Sequence, residues 1–302
     1  STVLNSKHDM TGVIFDIARF ALTDGPGIRS VVFFKGCPLR CQWCHNPESH
    51  SIKPEIMFFK EKCINCGLCE KYCAYGCHTF ASSIHLFTPN HCKGCGQCAR
   101  FCPTKALTVS GQTVTAENVI DTLKKDSAYY NNGGGITLSG GEPLFQPEFA
   151  ATILKLAKEK NWHTAVETCG YANWNIIRQV LPFVDLWLYD VKCVAPDKHL
   201  AFTGVDNSII LENLHKLNEA GAIIELRAPL IHGVNDSDND ILQLVELAGK
   251  LCNVTGIRPE PYHPFGQDKL LRLGYSPQPP FPVADDNELK RYQNIFGNLY
   301  LA

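Results

Sequence analysis

Residues 63–102 carry two runs of four cysteines with one shared spacing, C-x2-C-x2-C-x3-C. The first is Cys63, Cys66, Cys69 and Cys73; the second is Cys92, Cys95, Cys98 and Cys102. A segment built around eight thiols must turn tightly enough to gather them. Gly67, Gly94 and Gly96 supply turn positions inside the runs. Pro103 follows the second run, whereas Ala74 stands after the first. Zinc sites usually take two C-x2-C pairs, so zinc is the weaker reading. Cys77, a spare thiol, could replace Cys73 as a ligand, although the x3 spacing favours Cys73. The polar start, STVLNSKHDM, shows no apolar signal region, so fifteen cysteines argue against a disulfide scaffold. Eleven of them sit in motifs, which points to a reducing, anaerobic cytoplasm. Buried, inert thiols are expected for the rest: Cys77, Cys169, Cys193 and Cys252.

The doubled run resembles the bacterial two-cluster ferredoxin pattern, in which the fourth cysteine of each run ligates the other cluster. That resemblance implies one [4Fe-4S] cluster on Cys63, Cys66, Cys69 and Cys102, and a second on Cys92, Cys95, Cys98 and Cys73. A third set, Cys37, Cys41 and Cys44, reads C-x3-C-x2-C in FFKGCPLRCQWCHNPES. Three thiolates can hold three irons of a cubane and leave the fourth open to a substrate. The spacing resembles the signature of the radical S-adenosylmethionine (SAM) superfamily, where the amino and carboxylate groups of SAM chelate that iron.

The chain has 302 residues, 45% of them hydrophobic, which is enough for a sizeable core. A net charge of −2 without a basic run leaves nucleic acid an unexpected partner. No stretch approaches the ~18 apolar residues of a membrane-spanning helix. Strand-like runs at 12–18 and 30–35 flank the loop TDGPGIR. From 113 onward strands and helices alternate: strands near 135, 163–168, 185–192, 222–230 and 256–263, and helices at 116–130, 147–160, 174–181, 208–220, 238–251 and 286–296. Such alternation predicts a parallel sheet of about six strands with right-handed crossovers. The cysteine-rich segment reads as an insertion. The expected division is 1–50 for the first part of the main domain, 51–112 for the insertion and 113–302 for the remainder.

In parallel α/β sheets, function collects at the C-terminal ends of strands. That rule selects Gly140, Gly141 and Glu142, then Glu167 and Thr168, then Asp190 and Lys192, then Arg227, then His263. Polar residues or glycines at five successive strand ends suggest one site over the sheet's mouth.

With DGPGIR (24–29), SGGEP (139–143), ETCG (167–170), the Asp190/Lys192 pair and Tyr262-His263, nearly the whole chain resembles the activating enzymes of glycyl radical enzymes. The insertion resembles the subgroup acting on enzymes other than pyruvate formate-lyase. The resemblance implies an α/β fold, a partial (β/α)6 radical SAM barrel with an inserted ferredoxin-like α+β domain. It implies three [4Fe-4S] clusters and SAM. It also implies reductive cleavage of SAM to methionine and a 5′-deoxyadenosyl radical, which removes hydrogen from a backbone glycine of the partner enzyme. Gly140 and Gly141 would approach the methionine moiety and Glu142 its ammonium, while Lys192 would hold the carboxylate. Trp43 would pack on adenine, or simply on the core. His263 would sit at the ribose, or serve structure alone. Arg227 joins them as a cofactor-binding strand-end residue. Glu167, Thr168 and Asp190 match positions that hold a monovalent cation, with Glu where the pyruvate formate-lyase activator has Asp. Asp24, Arg29 and His45 would face the partner's glycine loop, or fix the DGPGIR turn. The expected partners are a glycyl radical enzyme, bound transiently, and a flavodoxin- or ferredoxin-type electron donor; the chain itself is expected to be a monomer. Two rivals remain: a radical SAM enzyme acting on a small molecule or peptide, and a multi-cluster electron carrier.

Overall fold

The computed structural model describes residues 10–82, 84–277 and 279–302; the polar start at 1–9 lies outside them. Twelve strands occur among the described residues: β1 (Thr11–Ala21), β2 (Arg29–Phe34), β3 (Glu55–Phe58), β4 (His78–Ala81), β5 (Ile84–Phe87), β6 (Leu107–Ser110), β7 (Gln112–Thr115), β8 (Gly135–Gly140), β9 (His163–Thr168), β10 (Leu186–Asp190), β11 (Ile224–Leu230) and β12 (Val254–Pro261). Eight of them form one open sheet in the order β12-β11-β10-β9-β8-β2-β1-β7. The six from β12 to β2 are parallel; β1 and β7 are antiparallel additions beside β2.

Local sequence explains the arrangement. β10 (LWLYD) and β11 (IELRAPL) are buried along nearly their whole length, as strands covered on both faces must be. Four of the ten α-helices among the described residues carry the crossovers with clear start signals. These are α3 (Ala116–Lys124), capped by Thr115; α4 (Pro147–Lys158), with proline in its first turn; α5 (Trp174–Val180), capped by Asn173; and, later in the chain, α8 (Asp238–Gly249), capped by Ser237. α6 (Pro196–Thr203) and α7 (Ser208–Glu219) share the connection from β10 to β11. α9 (Phe265–Arg272) and α10 (Asp286–Phe296) follow β12, and α10 opens on a capping box between Asp285 and Glu288. Val32, Phe34, Ile136, Leu138, Val166, Trp187, Tyr189, Leu226 and Ile257 join the helices in one large core.

Between β2 and β7 the chain makes a separate small unit. β3 pairs with β6, and β4 with β5, each antiparallel. Two short helices, α1 (Leu68–Tyr72) and α2 (Gln97–Arg100), each start on a glycine in the left-handed region, Gly67 at φ 76° and Gly96 at φ 75°. Gly94, at φ 63°, also lies against Pro54 so closely that a Cβ would meet its carbonyl oxygen at 2.0 Å. Tyr72 and Phe101 stack at 3.9 Å between the two helices. The antiparallel return of β7 onto β1, the β3–β6 ladder, and helices α6 and α9 are additions to what the periodicity predicts.

Candidate functional site

The site lies where the parallel strands end. After β2 the chain leaves the sheet through Lys35 and Gly36 and makes the loop that carries Cys37, Cys41 and Cys44. Lys35 is fully buried, and its ammonium donates to the Glu48 carbonyl and pairs with Glu55 at 3.1 Å. Other elements fix the rest of the loop. Arg40 N–H donates to Thr203 O at 2.8 Å and Gln42 N–H to Phe202 O at 3.0 Å. Lys269 of α9 donates to Asn46 Oδ1 at 2.7 Å and Glu48 Oε1 at 2.6 Å.

The three thiols line a cleft of about 180 Å³ together with Trp43, His45, Gly140, Gly141, Glu167, Asp190 and Lys192. Burial raises the Cys37 and Cys41 thiols above the ordinary range and pushes Cys44 up to about 12; Lys192 opposes the rise at Cys41. A buried triad of this kind stays protonated unless a positive group compensates it. Three converging sulfur donors therefore fit a cationic iron–sulfur centre.

Gly140, at φ 107°, and Gly141 bring β8 against the end of β2. A Cβ on Gly140 would meet Phe34 N at 2.4 Å, and one on Gly141 would meet Gly36 O at 2.5 Å. Only glycine permits this approach, and it leaves peptide backbone as one wall of the cleft.

The opposite wall is charged. Asp190 and Lys192 pair at 2.8 Å. Burial alone would lower Lys192, but Asp190 reverses this and keeps the ammonium charged. Oxygens of Glu167, Asp190 and Glu260 lie within 4.8 Å of one another. Burial first, then Glu260 and Asp190, push the Glu167 carboxyl up to about 8. Ser139 donates a hydrogen bond to it.

Several expected residues sit behind the walls. Glu142 is 1% exposed, and its carboxylate accepts from Leu144 N, Thr168 Oγ1, Cys169 N and Cys169 Sγ at 2.8–2.9 Å. Thr168 is spent between Glu142 and the Gly170 N–H. Arg227 is 2% exposed; it donates to Glu260 Oε1 at 2.9 Å and to Thr23 O at 2.8 Å, which latches the Thr23–Asp24 loop to β11. Asp24 is half-buried, and burial raises its carboxyl against the pull of Arg227. Arg29 is wholly buried in bonds to Thr137 Oγ1 and to the carbonyls of Pro26, Gly133 and Ile136, and so fixes the turn. His263 is exposed, stacks on Phe265 at 3.8 Å, and borders a small recess behind Cys41 and Cys44. Trp43 packs near Phe202 and Phe281, with ring centroids at 6.1 and 6.2 Å, and also lines the cleft.

Glu260 escaped the sequence reading because β12 ends at Pro261, earlier than the 256–263 expectation. Its register pairs Glu260 with Pro229, another cleft residue. Of the remaining thiols, Cys77 and Cys193 are buried as expected, and Cys169 is buried but lines the cleft. Cys252 is exposed, against expectation, because it follows α8 at the surface.

In the insertion, Cys63, Cys66, Cys69 and Cys102 line one apolar pocket with Phe58, Phe80, His85 and Leu107. Four sulfurs around one mostly apolar space suit a closed cluster. Cys98 is pushed up to about 12 by burial, then by Cys92, Cys73 and Cys95, so these four thiols are also neighbours. Among the described residues, no helix is long and apolar enough to cross a membrane.

A match to the Radical SAM superfamily spans residues 89–245, and one to a 4Fe-4S binding domain spans 60–76. The choline trimethylamine-lyase activating enzyme of Oleidesulfovibrio alaskensis is 41% identical over 93% of both chains. The trans-4-hydroxy-L-proline dehydratase activating enzyme of Clostridioides difficile is 39% identical over 87% of this chain and 88% of that one. The crystal structure of Streptococcus suis SuiB bound to precursor peptide SuiA superposes at TM-score 0.52 and 13% identity, covering 85% of this chain and 42% of that one; this likeness concerns the fold.

Proposed function

The chain belongs to the activating enzymes of glycyl radical enzymes, within the radical SAM superfamily, and on that premise we propose how its cysteine sets and its cleft divide the work. It is a radical SAM activase. It cleaves SAM reductively to methionine and a 5′-deoxyadenosyl radical, and the radical takes a hydrogen atom from a backbone glycine of a partner enzyme, leaving 5′-deoxyadenosine and a glycyl radical.

Cys37, Cys41 and Cys44 hold a [4Fe-4S] cluster that, when bound, supplies one electron to the SAM sulfonium. The observation that carries this reading is the single cleft shared by those three thiols, the Gly140–Gly141 backbone and the Glu167/Asp190/Lys192 wall. SAM carries an ammonium, a sulfonium and a carboxylate. Lys192 offers a charged partner for the carboxylate, and Glu167, Asp190 and Glu260 favour the two cationic groups. The same acidic trio, with Glu260 beside the expected pair, suits a monovalent cation. Trp43 offers an aromatic wall for adenine. Glu142, Thr168 and Arg227 act as positioning residues from behind. Asp24, on its latched loop, and His45, in the cleft, face the partner's glycine loop. His263 shields the loop from the rear.

The insertion is a ferredoxin-like domain with two [4Fe-4S] clusters, one on Cys63, Cys66, Cys69 and Cys102, the other on Cys92, Cys95, Cys98 and Cys73. It relays electrons from a flavodoxin- or ferredoxin-type donor in a reducing cytoplasm. Anaerobic reconstitution tests the reading: about twelve irons per chain are expected. The triple change of Cys37, Cys41 and Cys44 to Ala should remove about four irons and all SAM cleavage. Loss of cleavage with every iron retained would overturn it.

A further inference from the structure

The hairpin of β4 and β5 carries two buried histidines, His78 at 2% and His85 at 4% exposure. They face inward, toward the first thiol set. His85 Nδ1 lies 3.5 Å from Cys63 Sγ, and its Nε2 lies 3.5 Å from Cys69 Sγ. His85 Nε2 is also 2.9 Å from His78 Nδ1. The His85 ring cannot swing away, because Phe58 and Phe80 pack on it at centroid distances of 4.3 and 4.8 Å. His78 is held in turn by stacking on Phe87 at 5.1 Å.

We propose that His85 donates an N–H hydrogen bond to the thiolate sulfur of Cys63, with His78 fixing its tautomer, and thereby raises the reduction potential of the cluster at Cys63, Cys66, Cys69 and Cys102 above that of its neighbour. This rests on the cluster assignment proposed above. A thiolate sulfur only accepts, so the bond to Cys63 needs the hydrogen on Nδ1, whereas the other tautomer would donate to Cys69 of the same set. A neutral imidazole with its hydrogen on Nδ1 presents a bare Nε2, and His78 satisfies it by donating from its own Nδ1. The pair forms a short relay, His78 to His85 to sulfur, of the kind that orients ligands around metals. Reduction adds negative charge to the cluster, and a donor aimed at sulfur stabilises the reduced form more than the oxidised one. Backbone donors reach both sets: Gly94 N–H to Cys92 Sγ and Cys77 N–H to Cys73 Sγ in the second, both at 3.4 Å, and the Leu107 N–H to Cys102 in the first. No histidine bond to the second set occurs among the described residues. The histidine pair therefore makes the two clusters inequivalent, and electrons rest preferentially on the Cys63 side.

The test is a redox titration of the reconstituted holoprotein, followed by electron paramagnetic resonance, with iron content measured on every variant. H85L should lower one midpoint by about 59 mV, a tenfold shift in a one-electron equilibrium, and leave the other cluster signals in place. H85N, which keeps a donor, should recover part of the shift. H78F leaves the His85 tautomer unfixed and should lower the same midpoint by a smaller amount. Unchanged midpoints in both H85L and H78F would overturn the inference. So would equal shifts in H85L and H85N, which would make the effect one of packing. Loss of about four irons in H85L would also overturn it, by making His85 necessary for holding the cluster. C63A separates this from the underlying assignment: if it retains all irons, the proposed ligand set is wrong whatever His85 does.

Discussion

Replacing Glu142 separates a residue that touches SAM from one that builds the wall behind it. Its carboxylate is 1% exposed and accepts four hydrogen bonds, two of them from the backbone N–H groups of Leu144 and Cys169 at 2.9 Å. In Glu142→Ala both N–H groups lose their acceptor in a place water does not reach. At ~1–3 kcal/mol for each stranded donor, the cost is about 2–6 kcal/mol. Part of that is offset, because burial raises the Glu142 carboxyl and so already penalises its charged form. A net loss of about 3 kcal/mol follows, or roughly 6 °C in Tm at about 2 °C per kcal/mol for a chain of this size. Glu142→Gln keeps the volume but turns an amide NH2 toward existing donors, so about 2 kcal/mol is expected. Anaerobic thermal melts of the reconstituted protein measure this. SAM affinity, read by equilibrium dialysis, should weaken by no more than about threefold, or ~0.6 kcal/mol. A wild-type melt combined with SAM binding weakened tenfold or more would refute the reasoning. Glu142 would then be reaching the ligand directly.

Three other outcomes are expected. Cys102→Ala should slow activation by a protein electron donor more than cleavage driven by dithionite; equal slowing would give the insertion a structural role only. Asp24→Ala and His45→Ala should diminish the glycyl radical signal formed with the partner, while 5′-deoxyadenosine formed without it stays close to wild type; a parallel fall would place both residues in the service of SAM or the fold. Glu167, held at about 8 against an ordinary 4.5, keeps a proton between those pH values that the unfolded chain has released. Its contribution to stability is therefore full below pH 4.5 and declines toward pH 8, by on the order of 5 kcal/mol, and Glu167→Gln should flatten that slope in melts from pH 5.5 to 8.5.

The cysteine spacing and the βα alternation made the layout legible because both are local. β9 occupies His163–Thr168, the range its periodicity predicts. The cleft was legible through strand ends: Gly140, Gly141, Glu167, Asp190 and Lys192 meet there. Depth was not legible. Glu142 follows the end of β8, while Arg227, expected at a strand end, lies mid-strand in β11 because that strand runs on to Leu230; both side chains turn to partners, at Cys169 and Thr23. Sequence assigns a residue to a strand end without saying which side of the wall it serves. Glu260 was hidden by the length of β12, and the His78–His85 pair by lying outside every cysteine motif.

The anchors of the three cysteine sets have a consequence for the order of biosynthesis. The insertion's own ladder closes when Ser110 pairs with Glu55, so the partners of its eight thiols are available within one short stretch of chain. The loop of Cys37, Cys41 and Cys44 waits much longer. Its backbone is tied down by Phe202 and Thr203, and its Asn46 and Glu48 by Lys269. In a chain growing from its N-terminus, the set that is made first is the last to acquire its full scaffold.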